Sequence, residues 1–252
     1  MKVSVCSEAV FTGVDYKQGM EDLAKAGYRD LEFWVWWNKD LNILKELKSC
    51  HSINFTAMCA KPASLVDESE RKEYKQNIIE SIKAAKEIGC KTLIGLVGDE
   101  LPETPRDIQH DSIIAGLKEV APLLEEAEVV LVIEPLNTRI DHKGYYLWDA
   151  DEAFEIVDKV GSANIKVLFD IYHQQIMQGD LIRRIEANID KIGHFHAAGN
   201  PGREELFKGE INYAEVTRAI DNAGYEGYIG LEYFPKGNIL EGLERCCKLC
   251  NN

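Results

Sequence analysis

Four apolar runs in the second half of the chain each stop at a residue able to bind a cation. Leu131-Val132-Ile133 runs into Glu134, Val167-Leu168-Phe169 into Asp170, Ile192-Gly193-His194-Phe195 into His196, and Ile229-Gly230-Leu231 into Glu232. The steps between these ends are 36, 26 and 36 residues. A short apolar run bounded by polar residues reads as a buried strand, and about 30 residues is the length of one strand–helix–strand unit. The chain must therefore fold so that several buried parallel strands end side by side.

The same unit continues toward the N-terminus. Apolar and β-branched runs predict strands over 1–7, 28–33, 53–59, 92–97 and 129–134, followed by three more that reach Asp170, His196 and Glu232. Apolar residues at helical spacing predict helices over 15–26, 70–88, 149–160, 181–188 and 213–223. Further helices are marked by Leu41, Leu44 and Leu47, by Ile113, Ile114, Leu117, Val120 and Leu124, and by a start near Ile239. Gly27, Gly89, Gly161 and Gly224 follow helices, where the left-handed conformation closes the last turn. Eight strands alternating with eight helices predict an α/β chain, a single (β/α)8 TIM barrel domain over residues 1–252. An open doubly wound sheet would carry a glycine-rich phosphate loop after the first strand, and Ser7-Glu8-Ala9-Val10-Phe11-Thr12-Gly13 is not one.

Charge and composition narrow the partners. A formal net charge of −14 repels phosphate backbones, so nucleic acid is not the expected partner. No apolar stretch has signal-peptide or membrane-spanning length, so no membrane partner is expected. Seven cysteines, odd in number and scattered, read as reduced thiols of a cytoplasmic protein. Cys247-Lys248-Leu249-Cys250 lacks a second pair and a preceding strand, and reads as part of a terminal helix.

In a barrel, the last four strand ends lie together on the C-terminal rim. Glu134, Asp170, His196 and Glu232 would converge there, one from each strand. Any single acid could instead be a cap or half of an ion pair, but four in step point to a divalent metal ion. Three carboxylates and one imidazole suit Mn²⁺, Mg²⁺ or Co²⁺. Long connections over 97–111 and 199–210 would lie on the same face. Arg203 in the second, and His173 three residues after Asp170, are candidates for binding substrate oxygens. Arg139 and His142 read as loop residues. Glu32, which ends the second strand, reads either as a group supporting a ligand or as a structural ion pair. Trp34, Trp36 and Trp37 have two readings: core and oligomer packing, or an aromatic wall of the pocket.

These segments resemble a known family. Ile133-Glu134-Pro135-Leu136-Asn137-Thr138-Arg139, Asp170-Ile171-Tyr172-His173, His196-Ala197-Ala198-Gly199-Asn200-Pro201-Gly202-Arg203 with Gly209-Glu210-Ile211-Asn212-Tyr213, and Gly230-Leu231-Glu232-Tyr233-Phe234-Pro235 are similar to the signature segments of hydroxypyruvate isomerases. Those enzymes belong to the xylose isomerase-like barrels. The resemblance covers residues 129–236 and is architectural before that. It implies Glu134, Asp170, His196 and Glu232 as metal ligands, Glu134 and Glu232 as the acid–base pair, and His173 and Arg203 on the substrate. It also implies a homo-oligomer. One departure bears on specificity: hydroxypyruvate isomerases often carry glutamine where this chain has His196, the choice of ketose 3-epimerases.

The chemistry follows from such a site. Shifting a carbonyl along a sugar, or inverting the carbon beside it, requires removal of a C–H proton, and a divalent ion stabilises the resulting enediolate. A carboxylate on each side removes and returns the proton. No organic cofactor is needed. The expected activity is a metal-dependent isomerase of a small hydroxy-carbonyl or sugar-derived substrate. A ketose 3-epimerase and a lyase of keto-sugars or keto-glycosides are alternatives on the same residues. A DNA-repair phosphodiesterase is disfavoured by the acidic charge and by only six histidines, and a non-catalytic barrel by the complete ligand set.

Overall fold

The computed structural model describes residues 1–250. Eight strands form a closed parallel barrel in chain order, with β8 returning to pair with β1. The strands are β1 (Lys2–Cys6), β2 (Asp30–Phe33), β3 (Asn54–Cys59), β4 (Thr92–Gly95), β5 (Val130–Ile133), β6 (Ile165–Asp170), β7 (Ile192–Ala197) and β8 (Tyr228–Leu231). The helices are α1 (Ser7–Val10), α2 (Tyr16–Lys25), α3 (Leu41–His51), α4 (Arg71–Ile88), α5 (Arg106–Ala127), α6 (Ala150–Val160), α7 (Ile171–Met177), α8 (Leu181–Asn188), α9 (Tyr213–Asn222) and α10 (Ile239–Cys250).

Local chemistry accounts for the boundaries. The side chains of Asp15, Asp40 and Asp149 accept hydrogen bonds from the first free amides of α2, α3 and α6. Gly89 and Gly161 take the left-handed conformation that ends α4 and α6. Two helices are additional to the eight expected. Both α1 and α7 start directly on a strand end and are four and seven residues long, too short to show a helical period. The Asp170 side chain itself caps α7, accepting from the His173 amide at 3.0 Å. The helix expected around Ile113 starts earlier, at Arg106, which shortens the loop after β4 to residues 96–105. Cys247 and Cys250 are free cysteines of α10.

One large apolar cluster fills the space between barrel and helices. The barrel interior divides in two. Its β3–β6 side packs Ala57, Ile94, Val132 and Leu168 against one another. Its other side, from β1, β2 and β7, carries the buried polar residues Ser4, Glu32, His194 and His196. No helix among the described residues is long and apolar enough to cross a membrane.

Candidate functional site

Each of the four rim residues is delivered by its strand. Asp170 and His196 lie within β6 and β7, and face each other in register. Glu134 and Glu232 come one residue beyond β5 and β8, their amides donating to Gly95 and Ala197 of the neighbouring strands. All four are buried, and one donor atom from each lies within 4.8 Å of the others. His196 Nδ1 stands 3.6 Å from Glu134 Oε1 and 3.4 Å from Glu232 Oε2.

This donor set fits a divalent cation. Glu134 Oε1 and both ring nitrogens of His196 are buried without a hydrogen-bond partner, an arrangement that is costly unless a charge compensates it. Burial disfavours a charged His196, but Glu232 and Glu32 outweigh it and hold the imidazole protonated well above its ordinary range. Burial would raise Glu232, but His196 and then Arg203 pull it below the usual carboxylate range. Asp170 is raised, by burial and by Glu232, against the pull of Arg203.

Arg203 and Trp34 complete the grip on Glu232. Arg203 Nη2 donates to Glu232 Oε2, and Trp34 Nε1 donates to Oε1 at 2.5 Å. Arg203 is set by the loop over 198–212. A side chain at Gly209 would stand 2.6 Å from the Asn200 carbonyl carbon, so the loop closes tightly only because that position is glycine. Trp34 is held through its backbone: its amide and that of Val35 donate to Glu8, which also pairs with the buried Lys39 ammonium at 2.6 Å.

His173 is fully buried beside Asp170. Its Nδ1 accepts from the Asn137 amide at 3.2 Å and faces the Asn137 side-chain nitrogen at 2.7 Å. Burial pushes its pKa down to about 3. The ring is therefore neutral, with its proton on Nε2, which makes no hydrogen bond and lies 3.5 Å from Asp170 Oδ2.

A cavity of about 400 Å³ opens beside these groups, lined by Glu134, His173, His196, Arg203 and Glu232 on one side. Trp34, Trp37, Leu96 and Leu136 are among its apolar walls. A second hollow of about 420 Å³ shares Pro62, Leu96, Leu136 and His142 with it. The tryptophans thus divide: Trp34 and Trp37 line the cavity, while Trp36 packs against the core. His142 also joins the cavity wall, its ring edge-on to His173 at 5.3 Å, whereas Arg139 donates to the Ile176 carbonyl outside it. Cys59 is in the wall, but burial, reinforced by Glu134 and Glu232, holds its thiol far above the range needed for a nucleophile.

Three features were not assigned from the sequence. Glu32 lies under His196, its Oε1 3.2 Å from Nε2. His194 pairs with Glu32, and Trp34 hydrogen-bonds Glu232. The spacing His194-x-His196 carried the first signal, since alternate residues of a strand share a face.

The pattern of the family described as xylose isomerase-like TIM barrel matches residues 20–249. Hydroxypyruvate isomerase of Escherichia coli is 30% identical over 252 residues, covering 96% of this chain and 97% of that protein. A 2-oxo-tetronate isomerase of Cupriavidus necator is 44% identical over 115 residues, covering 46% of this chain and 44% of that one. Among solved structures, a Brucella melitensis protein described as an AP endonuclease of family 2 superposes with a TM-score of 0.92 at 26% identity, over 98% of this chain and 99% of that one.

Proposed function

The chain belongs to the xylose isomerase-like TIM barrel family, and on that premise we propose that it is a divalent-metal-dependent isomerase. Its substrate is a small hydroxy-carbonyl compound or one derived from a sugar. The observation that carries this reading is the convergence of Glu134, Asp170, His196 and Glu232, donor atoms within 4.8 Å of one another, at a cavity able to hold such a molecule. Similarity to isomerases of hydroxypyruvate and 2-oxo-tetronate supports it. The relative described as an AP endonuclease does not redirect it, because a net charge of −14 opposes DNA.

Glu134, Asp170, His196 and Glu232 would hold the ion. When bound, the ion supplies an electrophile that polarises the substrate carbonyl and stabilises charge developing on its oxygens. One of Glu134 and Glu232 takes the proton from the carbon beside the carbonyl. Returning it to the former carbonyl carbon, while the hydroxyl proton passes to the former carbonyl oxygen, isomerises the substrate. His173 offers its Nε2 proton to a substrate oxygen, and Arg203 supplies a second, permanently charged donor. The apolar walls keep water away from the carbanionic stage.

A ketose 3-epimerase is the second reading, favoured by the size of the cleft. The second hollow, beyond Pro62, Leu96 and Leu136, leaves room for a substrate longer than three carbons. One experiment tests both. The Mn²⁺-loaded protein is incubated in D₂O with hydroxypyruvate, 2-oxo-tetronate and free ketoses, followed by proton NMR, with Glu134→Gln as control. Deuterium entering the carbon next to the carbonyl, in the wild type alone, supports proton transfer, and the product identifies isomerase or epimerase. Absence of exchange on every substrate, with metal bound, would sink the reading.

A further inference from the structure

Beneath the rim, a second cluster is buried inside the barrel. Glu32, 1% exposed, is the last residue but one of β2 and points inward. Its Oε2 accepts from Ser4 Oγ at 3.1 Å and faces His194 Nε2 at 2.8 Å. Its Oε1 lies 3.2 Å from His196 Nε2. It has no lysine or arginine partner among the described residues, so it is not an ordinary strand-end ion pair. His196 is bracketed: Nε2 looks down to Glu32, while Nδ1 looks up to Glu134 and Glu232.

The barrel is shaped around this carboxylate. Gly230 of β8 is in register with both Ser4 and His196. A Cβ at Gly230 would stand 2.7 Å from the Glu32 carboxyl carbon and 2.8 Å from Oε2, closer than side chains tolerate. The strand omits a side chain there, and Glu32 fills the space.

A direct hydrogen bond distinguishes the lower cluster from the upper. Donors each about 2.1 Å from one ion lie about 3.0–3.4 Å apart. The upper separations of 3.4 and 3.6 Å approach this, and so does the 3.2 Å between Glu32 Oε1 and His196 Nε2. The 2.8 Å between His194 and Glu32 is a direct hydrogen bond, with no room for an ion between them.

We infer that Glu32, steadied by His194 and Ser4, is a positioning residue that aims His196 so that Nδ1 ligates the cation, and that the Glu32–His194–His196 cluster supports one metal site rather than forming a second. The inference rests on the metal reading above. A histidine ligand offers a lone pair from one nitrogen only if the other keeps its proton, and a carboxylate facing that other nitrogen fixes both tautomer and ring angle.

The test measures Mn²⁺ affinity and stoichiometry by titration calorimetry for wild type, Glu32→Gln and His194→Gln, with thermal melts of the metal-free proteins to verify folding. The wild type should bind one Mn²⁺ per chain, and Glu32→Gln should bind it about 10–100-fold more weakly, with a smaller loss for His194→Gln. Long-range proton–nitrogen NMR of the wild type loaded with diamagnetic Zn²⁺ should place the His196 proton on Nε2, a readout independent of whether the variants fold. A second Mn²⁺ per chain, an unchanged affinity in Glu32→Gln, or a proton on Nδ1 would overturn the inference while leaving the isomerase reading intact. A wild type that binds no Mn²⁺ would overturn both.

Discussion

Replacing Gly230 by alanine adds one methyl group to the inner wall of β8, and that methyl has nowhere to go. It would crowd the Glu32 carboxylate, 2.7 Å from its carboxyl carbon. An exposed glutamate would swing aside at little cost, but Glu32 is boxed in by Ser4, His194 and His196. Overpacking a filled interior costs about 1–3 kcal/mol, and loosening hydrogen bonds to a buried charge about 1.5–3 more. Gly230→Ala should therefore lose about 2.5–6 kcal/mol, a large part of the roughly 5–15 kcal/mol that holds a typical domain folded. Gly237→Ala is the control: nothing lies within 4 Å of its Cβ position and its φ is not left-handed, so it should be neutral or stabilising by up to about 1 kcal/mol. Urea unfolding of the metal-free proteins reads both values. A double-mutant cycle with Glu32→Ala then isolates the clash, because the methyl at position 230 should cost far less once the carboxylate is gone, an interaction on the order of 2 kcal/mol. The reasoning fails if Gly230→Ala matches Gly237→Ala, or if the two changes are additive.

Glu134→Gln should lower isotope exchange into substrate by about 10²–10⁴-fold, the range for a lost general acid or base, with the melting transition retained; full activity in this variant would remove Glu134 from the mechanism. Divalent ion at a thousand times its dissociation constant should add about 4 kcal/mol of stability, raising the melting temperature by roughly 8–16 °C for a chain of this size. A chelator should reverse this, and an unmoved transition would argue against an ion at the site. Glu205 anchors the loop that carries Arg203, its carboxylate reaching Lys208 at 2.8 Å and the Lys236 amide at 3.1 Å. Burial works against its charge, but Lys208 and the backbone amides hold it below the usual carboxylate range. Its contribution is therefore complete above the unfolded value near about 4.3 and is lost as pH falls through the lower folded value. The stability gap between wild type and Glu205→Gln should close in acid, and a gap independent of pH would refute the assignment.

Much of this architecture was legible because each barrel unit is punctuated locally. Aspartates open α2, α3 and α6, and glycines close α4 and α6. The strands are short apolar runs of the kind that parallel sheets bury on both faces. What escaped is what has no period: α1 and α7 are each two turns or less, and α7 depends on the Asp170 cap more than on an apolar face. The four rim residues were legible for a similar reason, since each interrupts an apolar run at a strand end. His194 was hidden because it sits inside such a run, where an imidazole reads as part of the strand. Glu32 follows a single apolar residue, Leu31, where Glu134 ends a run of five, and its partners come from β1 and β7, which nothing in the neighbouring residues names.

The two glutamates of the rim show where residue spacing stops informing chemistry. From the sequence, Glu134 and Glu232 are equivalent, each the polar end of a buried strand. In the structure both oxygens of Glu232 are held, one by Trp34 and one by Arg203, and its charge is strongly favoured. Glu134 Oε1 has no hydrogen-bond partner. The difference comes from elements distant in sequence: the turn after β2, pinned by Glu8, and the glycine-closed loop after β7. A pair that looks symmetric on the rim is asymmetric in what surrounds it, and two chemically identical side chains can take unequal parts in moving a proton only through such an asymmetry. It is set by the loops, so it can vary between barrels that keep the same four rim residues.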